Sequence, residues 1–202
     1  WPEIIPLLLR FCSNFSLFSM GGRVSNFIFF PVGSGGPDKR ILTLGLNEAG
    51  KTTMLSKLTE RELKIQPTMG FNVETVRYTH THTHHKFQMT IWDVGGHEKI
   101  RSLWHFYHQA TKGLIFVVDA ADRERINEAK EVLHNTVRET DLIDCVCLLV
   151  LANKQDLPGA MSRHELIEEL GLCEIEHMSW EVKETVAKTG EGLNEGLDWL
   201  TE

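Results

Sequence analysis

With 202 residues, 42% of them hydrophobic and 24% charged, the chain can bury one substantial core, which favours one globular unit with an appendage. A formal net charge of -7 argues against a nucleic-acid binder that relies on a basic face. Cys12, Cys145, Cys147 and Cys173 lack zinc-type CxxC spacing, and Cys145 and Cys147 sit beside an apolar run, so reduced structural cysteines are expected.

The first 39 residues differ in character from the rest. "WPEIIPLLLRFCSNFSLFSM" is apolar but broken by Pro6, Arg10 and Asn14, short of the roughly 20 uninterrupted apolar residues of a spanning helix. It also lacks the basic start and small-residue cleavage site of a signal peptide. "MGGRVS", residues 20–25, fits the N-myristoylation pattern, which would place an acyl chain on Gly21 if Met20 is the start. The apolar "NFIFF", residues 26–30, would then add a second membrane contact. "PVGSGGPDK", residues 31–39, reads as a linker, because its glycines and prolines cannot continue a helix or a central strand.

From Arg40 to residue 202 apolar runs alternate with amphipathic stretches. Strands are expected at "RILTLGL", "FNVETVRYT", "KFQMTIWDV", "GLIFVVDA", "VCLLVLAN" and "SWEVKETVA". Helices are expected at "KTTMLSKLTE", at "DRERINEAKEVLHNTV" opened by Asp122, at "SRHELIEELG" opened by Ser162, and at "EGLNEGLDWL". This order predicts an α/β fold with a mainly parallel six-stranded sheet, helices on both faces, and a ligand at the carboxyl ends of the strands.

The first strand runs into "GLNEAGKT", which fits GxxxxGK[ST] in the order that phosphate binding needs: strand, glycine-bounded loop, lysine, hydroxyl, helix. Gly45 and Gly50 let the backbone curl round a phosphate, so that Asn47, Glu48, Ala49 and Thr53 border the anion. Lys51 reaches the β and γ phosphates, and Thr52 can ligate magnesium. Such a loop leaves ATPases, kinases and GTPases open. "NKQD", residues 153–156, narrows the choice, since the carboxylate of Asp156 can accept from both N1-H and the exocyclic amine of guanine, whereas adenine would leave it unpaired. Asn153 can brace the loop, and the stem of Lys154 can lie over the ring. "VAK", residues 186–188, fits a loop in which the Ala187 N–H meets the guanine oxygen, with Lys188 beside it.

Together "GLNEAGKTT", "PTMGFNVETV", "WDVGGHEKIRSLW", "FVVDAADRERINEAKEVL", "LANKQDLPGAM" and "EGLNEGLDWL" resemble the ADP-ribosylation factor (Arf) family of small GTPases. The resemblance implies a Ras-like fold over 40–202, binding of GTP and GDP with magnesium, and slow hydrolysis. Implied partners are an exchange factor, an activating protein and effectors. A monomer is implied, cytoplasmic and peripheral on Golgi or other endomembranes, that meets membranes in its GTP state in vesicle trafficking. Carried onto this chain, Thr68 would give magnesium a hydroxyl, Asp93 would hold magnesium through water, and the Gly96 N–H would touch the γ-phosphate. Phe71, Trp92 and Tyr107 would form an aromatic effector patch.

Three departures stand out. His97 occupies the position where Arf proteins carry the glutamine that orients the attacking water, which makes Lys51, Gly96 and His97 the candidate catalytic residues. An imidazole offers one donor and one acceptor on nitrogens pointing apart, so it should fit that water less well than an amide, and a GTP-binding scaffold with little hydrolysis is the alternative function. Glu48 adds a negative charge inside the phosphate loop, and its side chain is expected to face solvent. "THTHTHHK", residues 79–86, lengthens the turn between two strands. As a solvated loop it needs no role, but in extended backbone His80, His82 and His84 would share a face with metal-binding spacing.

Overall fold

A computed structural model describes residues 39–60, 68, 70–138, 142, 145 and 147–202. Cys12, the acylation motif at Gly21, residues 26–30 and the linker up to Asp38 lie outside the described residues.

Strands β1 (Lys39–Leu44), β2 (Phe71–Thr79), β3 (Lys86–Val94), β4 (Gly113–Asp119), β5 (Cys147–Asn153) and β6 (Ser179–Glu184) form one sheet in the order β2-β3-β1-β4-β5-β6. All neighbours run parallel except β2 and β3, which pair antiparallel from Phe71 opposite Val94 to Thr79 opposite Lys86. The helices are α1 (Lys51–Thr59), α2 (Glu98–Arg101), α3 (Ile126–Val137), α4 (Arg163–Glu169) and α5 (Leu193–Thr201).

The two-residue period of the strands divides the core. Leu42, Leu44, Leu114, Phe116, Leu148 and Val150 pack on one face with Ala129 and Leu133 of α3 and Leu166 of α4. Ile41, Ile115, Val117, Leu149 and Leu151 pack on the other with Met54 and Leu55 of α1 and Leu193 and Leu197 of α5. Every residue of β5 is buried, as expected of a strand covered on both faces. Because β1 lies between β3 and β4, the strand order reverses at its carboxyl end, where such sheets open a crevice.

The expected boundaries need four corrections. β1 stops at Leu44, and the chain turns at Gly45, whose φ is 143°. Asp122 opens a 3-10 turn, Arg123–Arg125, by accepting from Arg125 N–H, and the α-helix starts after it. β6 ends at Glu184 instead of running to Ala187: Thr185 N–H makes the last bond to β5, to the Ala152 carbonyl at 2.9 Å, and Ala187 N–H then turns to the Asn153 side chain. The fourth concerns the His80, His82 and His84 face. The chain over 80–85 is a tight turn, closed by His80 N–H to the His85 carbonyl at 2.9 Å and His84 N–H to the His80 carbonyl at 3.0 Å, not the extended segment that would align the three rings. Among the described residues no group of three or more His, Cys, Asp and Glu side chains could hold a metal. Nor is the tract wholly solvated, since His80 is buried and its Nδ1 accepts from the N–H groups of His82 and Thr83.

Ser162 caps α4 with a full capping box closed by Glu165, as its spacing predicts. Cys145 and Cys147 are free and buried, whereas Cys173, also free, is exposed and therefore not a core residue. No helix among the described residues is long and apolar enough to cross a membrane.

Candidate functional site

A cleft of about 430 Å³ opens at the carboxyl ends of β1, β3, β5 and β6. The loop between β1 and α1 lines one end with Asn47, Glu48, Gly50, Lys51, Thr52 and Thr53. Asn153, Lys154, Asp156, Leu157, Val186, Ala187 and Lys188 line the other, with Thr68 and Gly96 completing the wall.

Local sterics build the loop. A Cβ on Gly45 would sit 2.2 Å from the Val117 carbonyl oxygen, and one on Gly50 would sit 2.2 Å from Asn153 Nδ2. Gly50, at φ 101°, caps α1 without any side-chain hydrogen bond, so the first N–H groups of the helix lack the usual capping partner and suit an anion. Glu48 stands exposed at the rim with φ 67°, a left-handed conformation that costs a non-glycine residue roughly 1–2 kcal/mol. Lys51 is buried, and its Nζ donates to the carbonyls of Gly45 at 2.9 Å and Leu46 at 2.8 Å. Burial brings its ammonium down to about 8, with the charge of Asp93 opposing and that of Arg101 adding to the effect. Gly45 and Ala49 shape this end without lining the cleft: the Gly45 carbonyl holds Lys51, and the Ala49 carbonyl accepts from Asn153 Nδ2 at 2.8 Å.

Three oxygens converge beside the loop. Thr52 Oγ1 donates to Asp93 Oδ2 at 2.7 Å and lies 3.0 Å from Thr68 Oγ1, while Asn72 Nδ2 donates to the same carboxylate oxygen at 3.2 Å. Asp93 Oδ1 is buried with no hydrogen-bond partner among the described residues. Burial raises the Asp93 carboxyl above its usual range, against the hydrogen bonds of Thr52 and Asn72 and the charge of Lys51. A hard, oxygen-seeking cation fits this set, because it would satisfy the orphaned oxygen and offset the desolvated charge.

At the far end Asn153 is the brace, since its Oδ1 accepts from Ala187 N–H at 2.9 Å while its Nδ2 holds the phosphate loop. The Ala187 N–H, expected to meet a guanine oxygen, is thus engaged within the protein. Lys154 is held by Asp119 at 2.6 Å. Asp156 is exposed and makes no hydrogen bond within the described residues, so its carboxylate is available to a ligand.

Gly96 lies against the phosphate loop, where a Cβ would approach Gly45 O to 2.2 Å and Lys51 Nζ to 2.6 Å. Its carbonyl accepts from Arg101 Nε at 2.9 Å, and Arg101 reaches on to Glu128 at 2.7 Å. His97 is exposed and outside the cleft lining. Its Nδ1 accepts from Lys99 N–H at 3.4 Å and caps α2.

A family model described as "ADP-ribosylation factor family" matches residues 31–202. The chain belongs to the ADP-ribosylation factor family. Among solved structures it resembles the Arl6 (BBS3) small GTPase from Trypanosoma brucei, determined with the nucleotide analogue GppNp, at 29% identity and a TM-score of 0.73, over 81% of this chain and 95% of that one. The fold is therefore the Ras-like GTPase fold, and this Arf-family chain is a small GTP-binding protein of a family whose members hydrolyse GTP and work with exchange factors, activating proteins and effectors.

In this Arf-family chain Phe71 stacks on Trp92 at 5.3 Å, and Tyr107 lies 5.5 Å from Phe71 and 6.2 Å from Trp92. Trp92 and Tyr107 are buried, whereas Phe106, next to Tyr107 in the chain, is 57% exposed. The site residues expected from the Arf-family motifs leave out Asn72, Arg101 and Leu157. Leu157 could have been found as the flank of "NKQD"; Asn72 and Arg101 have no local signal, since each acts through a partner on another element.

Proposed function

We propose that the protein cycles between GDP-bound and GTP-bound states to recruit effectors to membranes in vesicle trafficking, with slow hydrolysis that an activating protein accelerates. The observation that carries this reading is a single cleft with a buried lysine and an uncapped helix start at one end, an available Asp156 carboxylate at the other, and the Thr52, Thr68 and Asp93 oxygens between them. In this reading 40–202 is the GTPase domain, and 1–39 is an extension that meets Golgi or other endomembranes, with Gly21 as the acylated residue.

Magnesium would be held by Thr52, Thr68 and Asp93, and when bound it supplies positive charge at the phosphate oxygens. Lys51 has two carbonyls to exchange for phosphate oxygens. The Gly96 N–H senses the γ-phosphate, and only glycine lets the backbone approach that closely. Guanine is selected by Asp156, with Lys154, Ala187 and Lys188 around the base. That the related Arl6 protein was solved with GppNp supports a nucleoside triphosphate in the equivalent cleft. Effectors would use Phe71, Trp92 and Tyr107.

A second reading, a GTP-binding scaffold that hydrolyses little, is favoured by one observation: the ring nitrogen of His97 is engaged in capping α2, away from the cleft. Single-turnover hydrolysis of GTP, alone and with an activating protein, separates the two. Partner-stimulated turnover is expected; hydrolysis at the uncatalysed rate under both conditions would establish the scaffold. Liposome flotation tests the membrane part, with GTP-loaded protein expected in the floated fraction and GDP-loaded protein or a Gly21→Ala variant left behind.

A further inference from the structure

Arg125 does not line the cleft, yet it reaches the phosphate end of it. The residue closes the turn Arg123–Arg125, where its Nε donates to Asp122 Oδ2 at 2.6 Å and a second guanidinium nitrogen lies 2.5 Å from the same oxygen. Its remaining arm donates to the Asn47 carbonyl at 3.2 Å. That carbonyl belongs to the peptide leading into Glu48, the non-glycine loop residue with φ 67°. Since φ is the rotation of that peptide about the N–Cα bond, a guanidinium fixed on the Asn47 oxygen holds Glu48 in its left-handed conformation. The neighbouring carbonyls are held as well, those of Gly45 and Leu46 by Lys51 and that of Ala49 by Asn153. Arg125 thus holds the Asn47 carbonyl from outside the cleft lining, and this bond, unlike the two made by Lys51, need not be exchanged when an anion enters.

The second role is electrostatic. Glu48 stands exposed at the rim of the phosphate end, so its negative charge opposes an incoming phosphate from the edge of the cleft. Arg125 feels that charge: burial pulls its guanidinium down, but Asp122, then Glu128 and Glu48, hold it above its ordinary value.

We infer that Arg125 is a positioning residue for the nucleotide, fixing the Asn47–Glu48 peptide and offsetting the Glu48 charge so that the loop accepts phosphates despite its acidic residue. This deepens, and rests on, the reading of the cleft as a guanine-nucleotide site. The test is release of a fluorescent GDP analogue from the full chain with magnesium, for wild type, Arg125→Ala, Arg125→Lys, Glu48→Gln and the Glu48→Gln/Arg125→Ala pair, at low and physiological salt. Arg125→Ala should release the analogue about tenfold faster, and the factor should shrink to about threefold in the Glu48→Gln background, the remainder being the lost Asn47 bond. The penalty should be larger at low salt, where the repulsion is unscreened. Arg125→Lys should recover part of the loss, keeping the charge but not the fork. Should Arg125→Ala fail to fold, Arg125→Gln with and without Glu48→Gln carries the same coupling, because it also removes the charge. Equal penalties in both backgrounds would overturn the charge offset, and unchanged release in Arg125→Ala would overturn the inference altogether. A wild-type chain that does not bind the analogue would overturn the guanine-nucleotide reading itself.

Discussion

In the proposed reading Asp156 discriminates between bases through one exposed carboxylate that has no partner within the described residues. Asp156→Asn replaces a charged acceptor by an amide that meets the base with a donor unless it turns. Guanine affinity should fall about ten- to hundredfold, the range expected for losing a charge-assisted hydrogen bond; displacement of labelled GDP measures it. Gly96 is constrained differently. A methyl group there would press on Gly45 O, Leu46 C and Lys51 Nζ at 2.2–2.6 Å, so Gly96→Ala should abolish any preference for GTP over GDP while GDP still binds. A variant that retained the preference would show that the loop can move away without loss. His97 sits close by in sequence but faces elsewhere, capping α2. His97→Gln should therefore raise intrinsic or partner-stimulated hydrolysis, and His97→Ala should change the intrinsic rate little, both read in single-turnover assays. A many-fold loss in His97→Ala without gain in His97→Gln would make the imidazole catalytic in its own right.

The β2–β3 hairpin is fastened to α5 at its tip. Asp198 accepts from Tyr78 OH at 2.5 Å, from Thr81 N–H at 2.8 Å and from the Thr81 hydroxyl. Burial alone would raise the Asp198 carboxyl, but the hydrogen bonds of Thr81 and Tyr78 outweigh it and hold the carboxyl below its usual range. A group whose folded pKa is depressed contributes stability that is present above its unfolded pKa, roughly 3.9 for Asp, and that is lost as pH falls through the folded value. Asp198→Asn should thus destabilise the protein by roughly 1.5–3 kcal/mol at neutral pH in urea denaturation, and the gap to wild type should close below about pH 4. A gap that persisted unchanged at low pH would mean that the carboxylate charge is not what fastens the hairpin. None of this was legible in the histidine-rich tract. Alternating Thr and His describe an exposed extended segment equally well, and the carboxylate that fastens this tip lies 117 residues away along the chain. The strands themselves, Phe71–Thr79 and Lys86–Val94, were legible to the residue, because a two-residue period bounded by turn chemistry is a local property.

Across the whole molecule the same distinction holds between what is local and what is assembled. "GLNEAGKT" and "NKQD" each carry their chemistry in a few consecutive residues, and the strand order brings both to the walls of one cleft. Arg125 could not be found this way, since it meets the Asn47 carbonyl across 78 residues and through a backbone oxygen that no motif records. The cysteines divide similarly: burial raises Cys145 and Cys147 to about 12, while nothing covers Cys173. Among these three, a thiol reagent on folded protein should label Cys173 first and leave Cys145 and Cys147 until denaturant is added, as peptide mass spectrometry would read out. The central claim is that the cleft takes a guanine nucleotide. Displacement of a fluorescent GDP analogue by GDP, GTP, ADP and ATP, each with magnesium, tests it most directly. GDP and GTP should displace the analogue at concentrations at least about a hundredfold below those needed of ADP and ATP; equal displacement by the adenine nucleotides would contradict the account.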